Sequence, residues 1–140
     1  MTAVLEVRDL DLFYGDAQAL DGVSIEADEG AIVAIVGSNG AGKSSLSRAI
    51  AGIETPRRGA IRYRGREIGG LYANRVAHLG VGRTFQIPRP FRKLSLLENV
   101  ALAAYYGQEQ QPSREHAYAQ ARDALEMVNL PTQPAARVDG

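Results

Sequence analysis

The chain has 140 residues, 45% of them hydrophobic and 23% charged, with sixteen basic residues balanced by sixteen acidic ones. That composition excludes a wholly disordered chain and fits one domain or part of a larger one, and the zero net charge gives no support to a nucleic-acid binder or a polybasic membrane protein. The lack of cysteine excludes disulfides, Cys-ligated zinc, iron–sulfur clusters and thiol nucleophiles.

In chain order, residues 4–9 (V-L-E-V-R-D) alternate apolar and polar, which predicts a half-exposed strand. Glu6, Arg8 and Asp9 also charge the N-terminus too early for a signal peptide, so none is expected. Residues 12–16 read as a turn. Residues 19–27 alternate again, with Leu20, Val23 and Ile25 as the apolar set, and Asp28-Glu29-Gly30 signals a turn. The unbroken run 31–36 (A-I-V-A-I-V) predicts a strand buried on both faces, as in a parallel sheet; it is far too short to cross a bilayer.

A glycine-rich loop follows. Beyond it Leu46, Ala49, Ile50 and Ile53 keep helical spacing, with Gly52 and Pro56 as the stop. Residues 59–64 predict a short strand turning at Gly65, residues 71–79 a short helix ending at Gly80, and residues 81–85 another strand. Pro88 and Pro90 break the chain. Ser95-x-x-Glu98 is a capping box, predicting a helix from Leu96 to about Tyr106 closed by Gly107. A polar linker, 108–112, leads to Ser113, which caps a helix carrying Ala117, Ala121, Ala124, Leu125 and Val128 at 3.6-residue spacing and ending at Pro131. The tail from 131 has no pattern. Between Arg57 and Lys93 ten basic residues face one acid, Glu67, which reads equally as a solvated arginine-rich face or as a docking surface.

One motif carries chemistry. Gly37-Ser38-Asn39-Gly40-Ala41-Gly42-Lys43-Ser44 matches G-x-x-x-x-G-K-[ST], the P-loop. Glycines let successive backbone N–H groups turn inward as an anion nest, and the following helix adds its positive end. Lys43 reaches the β- and γ-phosphates and the Ser44 hydroxyl coordinates Mg²⁺. An apolar run before the loop and a periodic helix after it support the match. Tyr14, 23 residues ahead of Gly37, is open to two readings, packing in the core or stacking on a nucleobase.

Tyr14, the P-loop and Thr84-Phe85-Gln86 together resemble the nucleotide-binding domain of ABC transporters. Residues 80–91 (G-V-G-R-T-F-Q-I-P-R-P-F) and 94–100 (L-S-L-L-E-N-V) resemble, more narrowly, the ATP-binding subunits of branched-chain amino acid importers, with similar words in relatives that handle urea. The resemblance implies an α/β P-loop NTPase of the ABC type. It would have an N-terminal antiparallel β part, a P-loop strand and helix, and the start of a helical subdomain. In residues, that is 1–94 for the β part, P-loop and Q-loop, 95–130 for the start of the helical subdomain and 131–140 for a tail. It implies ATP and Mg²⁺ as cofactors, held by Tyr14, Gly37, Ser38, Asn39, Gly40, Ala41, Gly42, Lys43, Ser44 and Ser45. Lys43 and Gln86 would be catalytic, and Ser44 and Gln86 metal-contacting. The implied partners are integral membrane permease subunits and a second ATP-binding subunit, at the cytoplasmic face of the inner membrane. No nucleic acid is expected.

The family's later motifs are not found in these residues. They are an L-S-G-G-Q-like signature, a Walker B strand ending in Asp-Glu, and a switch histidine. No apolar run ends in adjacent acids, Glu98, Glu115 and Asp123 read as helix surface charges, and His78 and His116 precede the region where a switch histidine belongs. The expectation is therefore the N-terminal part of an ABC ATPase subunit, with the C-terminal core strands missing, as a truncated product or an incomplete gene model. Three functions follow: an energy-coupling subunit of an amino-acid importer or a piece of one, a module that binds nucleotide without turnover, or a soluble ABC protein acting on nucleic acid or ribosomes. The 57–93 basic stretch is the one support for the third, and its aromatics lack the interleaving of a stacking platform.

Overall fold

The computed structural model describes residues 2–138, which form two units, the first running through Val76 and the second beginning at Ala77. The first is built on a four-stranded antiparallel sheet in the order β2-β1-β3-β4. Its strands are β1 (Ala3–Tyr14), β2 (Ala17–Asp28), β3 (Arg58–Tyr63) and β4 (Arg66–Glu67). Helix α1 (Lys43–Ile50) follows β2, and α2 (Ala73–His78) follows β4.

β1 is longer than its alternation predicts. Strict period two from Val7 would bury Asp9 and Asp11. Instead β1 carries one extra residue between Val7 and Leu10 relative to both neighbours, and Asp9 takes φ 45 with its N–H donating to Ser24 Oγ at 2.8 Å. This bulge resets the phase, so Leu10 and Leu12 join Val7 as fully buried residues. Residues 12–14 are thus strand, and the turn contracts to Gly15-Asp16, with Gly15 at φ 62. β2 bulges in turn at Asp21-Gly22, where Gly22 takes φ 59 and donates to Asp11 Oδ1 at 2.7 Å. That second bulge explains the step of three from Leu20 to Val23.

Gly59 closes the arrangement. It sits at φ 94 against the β1 bulge, and a Cβ there would lie 2.5 Å from the carbonyl oxygens of Arg8 and Asp9. Ile61 and Ile68 complete the buried face. Arg64 and Gly65, both at positive φ, make the β3–β4 turn, the signature of a primed hairpin. The arginines of this region have partners: Arg57 lies 3.8 Å over the Phe13 ring, Arg64 pairs with Glu29 at 3.3 Å, and Arg62 with Glu67 at 3.8 Å.

The run 31–36 forms no strand among the described residues. Ile32 is 99% exposed and Val36 91%. A β-strand exists only through ladder partners, and no described strand lies alongside this run. Residues 81–85 likewise form no strand.

In the second unit, α3 (Leu96–Tyr106) has the bounds its capping box predicts. Ser95 Oγ accepts from the Glu98 N–H at 3.1 Å, and the Glu98 carboxylate accepts from the Ser95 N–H at 2.7 Å. Glu98 is therefore a capping acid rather than a free surface charge. α4 (Arg114–Met127) starts on Ser113, whose Oγ accepts from the His116 N–H. Leu97, Ala101, Ala121 and Leu125 join the two helices. Ala124 and Val128, expected on the same stripe, are exposed. α4 stops before Pro131 because Asn129 adopts φ 59. The Asn129 N–H donates to Glu126 O and the Leu130 N–H to Leu125 O, a Schellman ending. The patternless tail also has a role, since Ala136 O accepts from the Leu96 N–H at 2.9 Å and ties the tail to the start of α3.

Candidate functional site

The loop 37–44 is shaped by its glycines. Ala41 N–H donates to Ser38 O at 3.1 Å, closing a turn that Gly40 completes at φ 84. Gly42, at φ 98, is the residue from which α1 starts, and no side chain caps that start. No acid stands in the first turn of α1. A helix end without a side-chain cap or an acid leaves its first N–H groups and positive pole for an external anion. Space requires glycine at 42 and is tight at 37. A Cβ on Gly42 would fall 2.8 Å from Ala19 O and 2.9 Å from Leu20 Cδ2, and one on Gly37 would meet Ala41 Cβ at 3.2 Å. The backbone here curls as a candidate anion cradle at the head of α1.

Lys43 folds back over this cradle, its Nζ donating to the carbonyls of Gly37 and Ser38. Among the described residues its acceptors are neutral, so an incoming anion competes with carbonyls and not with a carboxylate. Ser44 is exposed one residue further on. An open depression of about 330 Å³ lies here, walled by residues 39–45 and by Gln18 and Ala19 of β2. The two β2 residues carry no signal in the sequence. Ala19 is placed by the hairpin, and its carbonyl is what forbids a side chain at residue 42.

Tyr14 is not a core residue. It is 41% exposed, and its hydroxyl donates to Ser45 Oγ at 3.2 Å. Arg48, one turn along α1 from Ser45, pairs with Glu54 at 2.9 Å. Its guanidinium is held above its usual pKa, first by the Glu54 hydrogen bond and to a smaller extent by Tyr14.

Of the predicted site residues, the first unit brings together Tyr14 and the loop from Gly37 to Ser45. Gln86 lies in the second unit, exposed in a segment without regular structure. That segment has its own order. The guanidinium groups of Arg83 and Arg89 lie 5.1 and 5.7 Å from the Phe85 ring centroid. The Asn99 side chain then clips the following turn: its Oδ1 accepts from the Phe91 N–H at 2.8 Å, and its Nδ2 donates to Phe91 O at 3.0 Å and Ser95 O at 2.9 Å. Asn99 was invisible as a clip in the sequence, though its place four residues after Ser95 on one helical turn is what permits it. Among the described residues no three His, Cys, Asp or Glu side chains cluster as a metal site, and no helix is long and apolar enough to cross a membrane.

The ABC transporter family profile matches residues 20–139. The chain is 37% identical over 102 residues to the high-affinity branched-chain amino acid transport ATP-binding protein BraF of Pseudomonas aeruginosa, covering 73% of this chain and 40% of that protein. It is also 37% identical over 103 residues to the xylose/arabinose import ATP-binding protein XylG of Sulfolobus acidocaldarius, covering 74% and 41%. A solved nucleotide-free ATP-binding cassette from an ABC transporter superimposes with TM-score 0.75 at 29% identity, covering 92% of this chain and 55% of that one. The chain thus spans about 40% of the length of the curated relatives it matches. Its fold matches about half of the solved cassette, its glycine loop stands at the head of α1 inside the matched region, and the chain belongs to the ABC transporter family.

Proposed function

We propose that this chain is the nucleotide-binding portion of an ABC importer subunit, and that it binds Mg²⁺–ATP on the 37–45 loop. The observation that carries this reading is the uncapped, acid-free start of α1 behind Gly42, with Lys43 engaged by two backbone carbonyl oxygens. In this reading the backbone N–H groups of residues 38–44 hold the phosphates, Lys43 leaves the Gly37 and Ser38 carbonyls for them, and Tyr14 offers its ring to adenine. Mg²⁺ would take the Ser44 hydroxyl and phosphate oxygens, and would neutralise phosphate charge there. The fit rests on the donor: an exposed hydroxyl oxygen suits a hard cation that keeps several waters.

Binding is tested by calorimetric titration of Mg²⁺–ATP. Lys43→Ala removes a charge-assisted hydrogen-bond donor, an effect of about 1.5–3 kcal/mol, or roughly ten- to over a hundredfold in affinity. Equal affinity of wild type and variant would refute the reading.

Branched-chain amino acids are the proposed cargo of the assembled importer, supported by the BraF likeness and by residues 80–100. The equal identity to a xylose/arabinose import protein favours a second reading, another solute on the same energy-coupling part. The proposed partners are permease subunits and a second ATP-binding subunit, which would place the chain peripherally at the cytoplasmic face of the membrane. The surface offered to the permease is the 83–99 stretch, where Phe91 stands 61% exposed beside Arg89, Arg92 and Lys93. Charge reversal at Arg89 and Arg92 should weaken co-purification with a permease; unchanged co-purification would leave those arginines as a solvated face.

A further inference from the structure

We infer that Ser45 and Arg48 are positioning residues that set the orientation of the Tyr14 ring for a nucleobase, an inference that rests on the nucleotide reading above. Tyr14 is the last residue of β1, next to the Gly15-Asp16 turn, and its ring is substantially exposed. Left to itself such a side chain samples several rotamers. Here its hydroxyl is tied to Ser45 Oγ at 3.2 Å. Ser45 and Arg48 are three residues apart on α1 and so share a face. Arg48 is itself fixed by its 2.9 Å pair with Glu54, a residue brought back to the helix end by the Ile53 and Glu54 N–H groups, which both donate to Arg48 O. Ser45 and the Glu54-anchored Arg48 thus stand on one helix face, Ser45 hydrogen-bonded to the Tyr14 hydroxyl and Arg48 interacting with Tyr14, which adds to the rise in its pKa.

The geometry matters because α1 begins at Lys43. One rigid helix carries the phosphate-facing lysine at its first residue and the anchors of the tyrosine in its first and second turns. The span between phosphate cradle and base platform is therefore set by a helix and not by a loose side chain. An O–H···O contact of 3.2 Å at an exposed site is longer than the usual 2.7–2.8 Å, so its effect falls on orientation more than on stability. Pre-ordering one aromatic side chain changes binding by about two- to tenfold.

The test compares Mg²⁺–ATP with inorganic tripolyphosphate, which has the phosphates and no base, by calorimetry on the 140-residue chain. Tyr14→Phe, which keeps the ring and removes the hydroxyl, and Arg48→Ala should each lower ATP affinity about two- to tenfold and leave tripolyphosphate affinity unchanged. Arg48→Lys should retain wild-type ATP affinity. Tyr14→Ala should lose more than Tyr14→Phe. Unchanged ATP affinity in Tyr14→Phe and Arg48→Ala would overturn the positioning role while leaving nucleotide binding intact. Equal losses for ATP and tripolyphosphate would overturn it too, by showing a general effect on α1. Wild type binding neither compound would sink the nucleotide reading and this inference with it.

Discussion

Two apolar stretches of the first unit meet opposite fates. In β1, Val7, Leu10 and Leu12 are fully buried, although aspartates stand between them. In 31–36, which has no polar residue at all, Ile32 and Val36 are almost fully exposed. The more hydrophobic sequence is the one left in solvent. Hydrophobicity supplies the drive to be covered, but a strand needs partners on its hydrogen-bonding edges and a layer on its faces. β1 has β2 and β3 beside it, whereas 31–36 has no strand alongside among the described residues. That exposed run, next to the glycine loop, is a natural site of aggregation.

The comparison breaks most strongly at Leu10. Leu10→Ala should destabilise the first unit by about 2–5 kcal/mol in urea unfolding, whereas Ile32→Ala should change it by under about 0.5 kcal/mol. A similar loss at both sites would mean that 31–36 is covered in solution. Gly59→Ala tests the bulge itself. The new Cβ would meet two carbonyl oxygens at 2.5 Å in a conformation that L-residues avoid, so a loss of at least 1–3 kcal/mol is expected in the same unfolding assay. A neutral result would show that β1 slips to an unbulged register.

In the second unit Ser95→Ala should lower thermal stability by about 0.5–2 kcal/mol through loss of the cap. The same box has a pH signature. The hydrogen bond from the Ser95 backbone N–H, aided by the Ser95 hydroxyl, holds the Glu98 carboxyl below its ordinary value, while partial burial opposes this. A depressed carboxylate stabilises the folded state above the unfolded pKa and loses that contribution as pH falls through the folded one. Stability should therefore decline as pH drops from about 4.5 downward, and Glu98→Gln should flatten the decline. Identical pH profiles would remove Glu98 from that role. The smallest effect is expected from Ile32→Ser with Val36→Ser. These changes should leave the unfolding midpoint nearly unmoved yet reduce light scattering on heating, and unchanged scattering would place the adhesive surface elsewhere.

Local chemistry was legible wherever neighbours in the chain decide the outcome. Ser95, Glu98 and Gly107 marked the ends of α3, Ser113 marked the start of α4, and the glycine spacing marked the turn ahead of Lys43. Each of these depends on groups within a few residues, so the sequence contains the whole interaction. The bulges were legible only in hindsight, as the three-residue steps from Val7 to Leu10 and from Leu20 to Val23, because a pattern reading of strands assumes an unbroken period of two.

What tertiary structure alone decided are the contacts between distant residues. Ala19 O forbids a side chain at Gly42, the Arg8–Asp9 bulge demands Gly59, Ser45 holds Tyr14, and Ala136 caps the first N–H of α3. Residues 31–36 show the same limit from the other side. Their sequence states that they must be covered, and whether they become a strand is decided by hydrogen-bonding partners elsewhere in the fold.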